Sequence, residues 1–315
     1  MVGLRESGTA LLTLIPDSDN ADVGTWKKCF LRRRVFSTAF LFLKTLFPFR
    51  LKERKDKMLK TKTLKLTESA VMLALATILS FLAVVRMPFG GDVTAVSMLP
   101  VLVVAFRYGT PWGLLTGFTY SLIQMLLGLN NLQYATSAAA VVAIILLDYI
   151  VAFSVCGFGG LFSKKIKDPT LALPLGAVIA CALRFICHVI SGCTVWAGVS
   201  IPDVAGLTYS LSYNSAYMIP ETILTVIGAY TMAEVFDLKS SPMKRRVYSG
   251  KVGIWGLLAI SLAVMIDSVV LFKSIQTADG YNIKNIVNAN WLLIGIVTLI
   301  AVVITLINVA VRKKR

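Results

Sequence analysis

The sequence predicts an all-α integral membrane protein, and three observations carry that prediction: composition, the length of the apolar runs, and the placing of lysine and arginine. Hydrophobic residues make up 57% of the 315 residues and charged residues 15%, a balance outside that of a soluble globular domain. Apolar runs recur at about 20 residues, the length at which a helix covers roughly 30 Å of hydrocarbon. The basic residues gather in alternate connections, which is the pattern of a multi-pass protein.

In chain order the runs lie at 69–86, 93–107, 111–129, 138–162, 171–198, 207–236, 252–273 and 290–311. The second, "VTAVSMLPVLVVAFR", is short and contains Pro100, so by itself it reads as a re-entrant piece or a thin helix enclosed by protein. Charge favours a crossing. With the basic segment before residue 69 inside and eight crossings, the internal connections hold Arg107, "SKKIKD" at 163–168, "KSSPMKRRVYSGK" at 239–251 and the terminal "RKKR". The external ones hold only Arg86, Lys273 and Lys284, which places both termini in the cytoplasm. Most of the net charge of +16 therefore belongs to flanks that face anionic lipid. Nucleic acid is not an expected partner.

Ahead of the first span, "KKCFLRRRVFSTAFLFLKTLFPFRLKERKDK" alternates charge clusters with an apolar run too short and interrupted to span, and it reads as an interfacial helix. No small-residue cleavage site follows a clean apolar core, so the segment does not read as a secretory signal peptide. A second reading starts translation at Met58, because "MLKTKTLKLTESAVM" is itself a short basic lead into a span. Cys29, Cys156, Cys181, Cys187 and Cys193 contain no Cys-x-x-Cys pair and read as small hydrophobes.

Ionisable groups inside spans are expensive and are functional candidates by default. On the fifth span Arg184, His188, Gly192 and Trp196 stand at i, i+4, i+8 and i+12, a spacing that drifts only about 40° per step and keeps all four on one stripe. Read one at a time, they are a satisfied histidine, a small packing residue and an interface aromatic. Read together, they are a wall with a flat ring outside and hydrogen-bond donors deeper in.

Other spans converge on that wall. The sixth opens with "LTYSLSYNSAYMIPE", which places Tyr209, Tyr213, Asn214 and Tyr217 near the same outer surface, with Asn214, Tyr217 and Glu221 on one face. Pro220 can open the backbone there. In the fourth, Asp148 of "AIILLDYIVAF" lies about 15 Å deep by helix rise, either as a partner for Arg184 or as part of the pocket. A carboxylate, an imidazole, an amide, phenols and an indole at one depth suit an aromatic, partly cationic solute.

These residues carry a resemblance. "RFICHVISGCTVW" followed by "YSLSYNSAYMIPE", with "LLDYIVAF" and "FRYGTPWGLLTGFTYSLIQMLLG" upstream, resembles the thiamine-specific S component of energy-coupling-factor (ECF) transporters, over about residues 65–237. The resemblance implies a six-helix S-component-like bundle with two additional C-terminal transmembrane helices, in a bacterial cell membrane. It implies that Trp196 stacks on the pyrimidine, that Asp148 and Asn214 bind its polar edge, and that His188 and Tyr209 lie beside the thiazolium. By the same resemblance Tyr149 and Gly192 would complete the wall, and Arg184 would face the hydroxyethyl end. Ala70 and Ala74 would meet the transmembrane coupling subunit, which works with two ATPase subunits. Asp148 and Arg184 depart from the glutamate and lysine usual in the family, and the first external loop, "RMPFGGDVTAV", has no tryptophan.

The expected organisation is then a basic extension at 1–64, a substrate-binding domain at 65–237, a basic linker at 238–251 and two further spans at 252–315. No Walker A sequence occurs in the chain, so ATP use needs partner subunits. No cofactor or metal is expected. A proton-coupled secondary transporter, with Asp148, Glu221 and Asp267 as proton sites, is the alternative function; an intramembrane enzyme lacks a nucleophile–base pair or metal set.

Overall fold

The computed structural model describes residues 62–87, 90–195, 203–246, 252–277 and 280–313. Cys29, Trp196 and the whole segment before residue 62 lie outside the described residues.

Among the described residues eight main helices follow one another. They are α1 (Lys62–Phe81), α2 (Leu99–Tyr108), α3 (Thr110–Leu127), α4 (Ala138–Gly160), α5 (Pro169–Thr194), α6 (Val204–Val235), α7 (Ile254–Ile275) and α8 (Trp291–Lys313). Among the described residues, α1, α4, α5, α7 and α8 are long and apolar enough to cross a membrane. The lengths of α3 and α6 also suffice, but their Thr, Tyr, Asn and Glu residues lower their hydropathy.

The first two expected spans need correction. The apolar run at 69–86 does not end as helix: α1 begins earlier, at Lys62, and its tail becomes strand β1 (Ala83–Arg86), paired antiparallel with β2 (Asp92–Thr94). The run at 93–107 yields only the ten-residue α2, about 15 Å long by helix rise, yet with β2 it carries the chain back across, since Trp112, Tyr120 and Gln124 of α3 meet Ser69, Ala76 and Ser80 of α1 and the two helices run parallel. Pro100 to Phe106 are all buried, so α2 is a core helix packed on α1, α3 and α4. Gly109, at φ 91°, joins it to α3 in a conformation that a side chain would strain.

Local chemistry sets the other boundaries. Asp168 accepts from the backbone N–H of Thr170 at 2.9 Å and caps α5, with Pro169 at its first position. Asp203 caps α6 through Gly206 at 2.6 Å, and Ser137 caps α4 through Ala140 at 3.1 Å. Pro220 does not open α6, which runs unbroken past it.

Small residues let α2 to α5 approach backbone to backbone. A Cβ on Gly157 would collide with Leu114, and one on Gly176 with the carbonyl of Gly159. Around this contact lies the main core, built on Leu102, Phe106, Tyr120, Ile144 and Leu173. A second cluster joins the hairpin to α6 and α7 through Val85, Met87, Val93 and Met218.

Arg107, counted above as a topology charge, is also a structural bolt. Its guanidinium donates to both carboxylate oxygens of Glu68 on α1, at 2.9 and 3.0 Å, and to the carbonyls of Leu238 and Ser240. Tyr108 donates to the same carboxylate.

Candidate functional site

Between the β1–β2 hairpin and the ends of α1, α3, α4, α5 and α6 lies a cavity of about 490 Å³, a size typical of small-molecule sites at roughly 300–1,000 Å³. Asp148, Tyr149, Arg184, His188, Gly192, Tyr209 and Asn214 all line it. Three successive helices thus bring together every expected substrate-binding residue that the structure describes.

The α5 stripe is the spine of the site. One helical turn separates Arg184 and His188, so their side chains meet, and Arg184 Nε–H donates to His188 Nε2 at 3.2 Å. An arginine keeps its protons. Nε2 is therefore the acceptor, the ring proton sits on Nδ1, and Nδ1–H donates to Asp148 Oδ1 at 2.8 Å. Ser191 Oγ donates to the other oxygen, Oδ2, at 2.6 Å. Of the two roles open to Asp148 from sequence, the direct pair with Arg184 gives way to a row in which the imidazole stands between them. The guanidinium lies 4.3 Å from the Phe153 ring centroid and donates to Met98 Sδ at 3.0 Å.

Asp148 and Tyr149 reach the cavity because residues Ile145–Val151 of α4 form a π-helical stretch. The wider turn re-aims side chains that a regular helix would place differently. Tyr149 donates to the carbonyl of Gly128 at 2.9 Å and accepts from Asn131 at 3.0 Å.

On α6 the amide of Asn214 donates to Ser210 O at 2.9 Å and His188 O at 3.3 Å, and its oxygen accepts from Tyr217 at 2.7 Å. Asn214 thus couples α6 to α5 while lining the cavity. Gly192 serves the same approach, since a Cβ there would collide with Ser210. Tyr209 is half-exposed at the mouth and stacks on Tyr213, with centroids 6.0 Å apart and planes 17° apart; Tyr213 meets Tyr217 edge-on at 6.2 Å. The phenols form a continuous aromatic side.

The hairpin closes the cavity and carries polar residues that the sequence reading left unassigned. Arg86 and Asp92 are paired across β1 and β2, and both line the cavity. Burial pushes the Asp92 carboxyl above its ordinary range, opposed by the charges of Arg86 and Arg184. Two ties run to α6: Tyr213 donates to Gly90 O at 2.9 Å, and Glu221 accepts from Thr94 N–H at 2.6 Å and Thr94 Oγ1 at 2.7 Å. The signal for this hairpin was the Gly90–Gly91 pair between β-branched runs. Both glycines have positive φ, 94° and 88°, and Gly91 lies against the Tyr217 ring. Ser191 and Phe153, also unassigned from sequence, carried no signal beyond their helical register. Among the described residues no group of three or more His, Cys, Asp or Glu could hold a metal.

Comparison with known proteins gives the site a setting. The pattern of the family described as Thiamine transporter protein (Thia_YuaJ) matches residues 66–238. The Thiamine transporter ThiT of Bacillus subtilis (strain 168) is 32% identical over 174 residues, which cover 52% of this chain and 86% of that protein. A solved structure of ThiT from Listeria monocytogenes is 22% identical with a TM-score of 0.45, covering 57% of this chain and 96% of the other. The match spans α1 to α6, more than half of the sequence and every residue of the cavity wall, so this chain belongs to the thiamine transporter protein family.

Proposed function

We propose that this chain is the thiamine-binding subunit of an ATP-driven importer of the energy-coupling-factor type. It captures thiamine from outside and docks on a coupling module made of a transmembrane subunit and two ATPase subunits. The observation that carries the reading is the meeting, in one cavity, of the seven described residues assigned to the ligand by resemblance. Thiamine is a cation with two aromatic rings. Tyr209, Tyr213 and Tyr217 offer faces that attract a ring and a positive charge, and the Asp148 carboxylate supplies the opposite charge and acceptors for an exocyclic amine.

In this reading α1 to α6 form the substrate-binding domain at 65–237, 238–251 is a basic cytoplasmic linker, and α7 and α8 are two additional transmembrane helices within 252–315. The extension at 1–64 and both termini face the cytoplasm, on the side of the basic connections. Ala70 and Ala74 are exposed on α1 beside Val71, Leu75 and Ile78, an apolar, small-residue face that another helix can approach closely. Energy comes from the partner ATPases, and the chain itself acts as a transport subunit, without enzymatic chemistry.

The test is thiamine titration of the detergent-purified chain by tryptophan fluorescence and calorimetry. Saturable quenching is expected in the wild type and its loss in Trp196→Ala. Asp148→Asn is expected to weaken binding about 100-fold or more, as for removal of a charge-assisted contact. A folded wild type silent in both assays would remove thiamine as the ligand. Thiamine uptake into proteoliposomes without ATPase subunits would favour the proton-coupled transporter instead.

A further inference from the structure

Both ring nitrogens of His188 are engaged within the protein: Nε2 accepts from Arg184 and Nδ1–H donates to Asp148. The imidazole therefore has no in-plane nitrogen left for a ligand. The far oxygen of Asp148 is held by Ser191, which is wholly buried. Ser191 and His188 are three residues apart on α5, so one helix face presents two donors to the two oxygens of one carboxylate. That fork fixes the plane of a side chain one methylene shorter than glutamate. We propose that Ser191 is a positioning residue of the ligand site: it orients Asp148 to accept the proton that Arg184 fixes on His188 Nδ1, and polar recognition falls to Asp148 and Arg184. The consequence for thiamine rests on the function proposed above; the positioning does not.

His188 is the only histidine of the chain, so ¹⁵N-histidine labelling of the full protein gives one pair of ring resonances. The wild type is expected to show a protonated Nδ1 and an unprotonated Nε2. Ser191→Ala is expected to leave the proton on Nδ1, because the Arg184 donor still faces Nε2, to shift the Nδ1–H resonance as Asp148 turns, and to weaken thiamine binding about 10- to 100-fold, the range for losing a hydrogen bond to a charged group. Ser191→Thr, which keeps the hydroxyl, is expected to restore the resonance. A wild-type ring protonated on Nε2, or a Ser191→Ala protein with an unchanged Nδ1–H resonance, overturns the positioning. An Nδ1–H resonance that responds to Ser191→Ala in a protein that binds no thiamine supports the positioning and overturns the thiamine reading.

A separate observation concerns α7, which lies beyond the family match ending at residue 238. It packs on α6 and on β1. Met265, Val269 and Phe272, on one helical face, pack on the cluster that joins Val85, Met87 and Val93 of the hairpin to Tyr213, Tyr217 and Met218 of α6. The hairpin is thus held from the cavity side by Tyr213 and Glu221, and from the other side by α7. Strands of four and three residues are marginal on their own. We infer that α7 is a brace that keeps the hairpin closed over the cavity, with α8 behind it through the hydrogen bond from Thr298 Oγ1 to Asp267 Oδ2 at 2.9 Å.

Amide hydrogen exchange of the full chain tests this without any ligand. Phe272→Ala and Val269→Ala are expected to speed exchange in the hairpin about tenfold while α2 and α5 stay protected, the behaviour of a local opening. Leu262→Ala, on the exposed side of α7, is expected to leave the hairpin unchanged. Unchanged hairpin exchange in Phe272→Ala, or equal acceleration in α5, overturns the brace.

Discussion

Glu221 shows how a single residue serves two levels of structure. From sequence it is a glutamate on the pocket face of a span and a candidate proton site. In the fold it is 1% exposed and accepts both donors of Thr94, so it ties the hairpin to α6. Glu221→Gln is expected to keep most of the tie, because the amide oxygen still accepts from the backbone N–H and the Thr94 hydroxyl can turn to accept. Glu221→Leu leaves that N–H unpaired and is expected to cost about 1–3 kcal/mol of stability, read as the loss in thermal denaturation in detergent. A leucine variant as stable as the wild type would count against the tie. The site residues on α5 were legible because a 3.6-residue period puts i and i+4 on one face whatever the neighbours do. The proton position on His188 was not, since it depends on Arg184 and Asp148 approaching from opposite sides.

At the scale of elements, helix starts follow from local chemistry and can be tested locally. Asp168 accepts from both the N–H and the hydroxyl of Thr170, and these bonds hold its carboxyl below the usual range. A carboxyl lowered in the folded state adds stability that is fully present above its unfolded value and is lost as pH falls through the folded one. Asp168→Ala is therefore expected to cost about 1 kcal/mol at neutral pH, as for a lost N-cap. The gap between the variant and the wild type should begin to narrow below about pH 4 and be smaller at pH 3 than at pH 7, measured by denaturation at both. The misread elements were those where two structures share one apolar run. Residues 69–86 and 93–107 are predominantly apolar, and hydropathy does not mark where helix gives way to strand. The Gly90–Gly91 turn does, because positive φ suits glycine. The π-helical stretch of α4 left no trace in the sequence: one extra residue per turn is a response to packing, not a composition.

For the whole molecule, the cavity and the docking face proposed on α1 involve different residues, so binding and transport should separate. Ala74→Trp adds bulk to an exposed position on α1, away from the residues lining the cavity. It is expected to leave thiamine titration within about twofold of the wild type, because exposed substitutions rarely exceed 0.5 kcal/mol. It is also expected to abolish uptake by cells that carry the coupling module. Impaired binding in this variant, or normal uptake, would remove α1 as the docking helix.

The sequence by itself determined that this is a helical membrane protein, where most of its helices lie, and which face of α5 and α6 carries polar chemistry. These properties depend on composition and period within one segment, and lipid enforces them because an unpaired backbone group in hydrocarbon is too costly. Only the tertiary structure decided that α2 is a buried core helix, that Asp148 meets His188 and Ser191 before Arg184, and that α7 lies against the hairpin. Those outcomes rest on contacts between segments distant in the chain, whose geometry is set by how closely glycine-lined helices can approach.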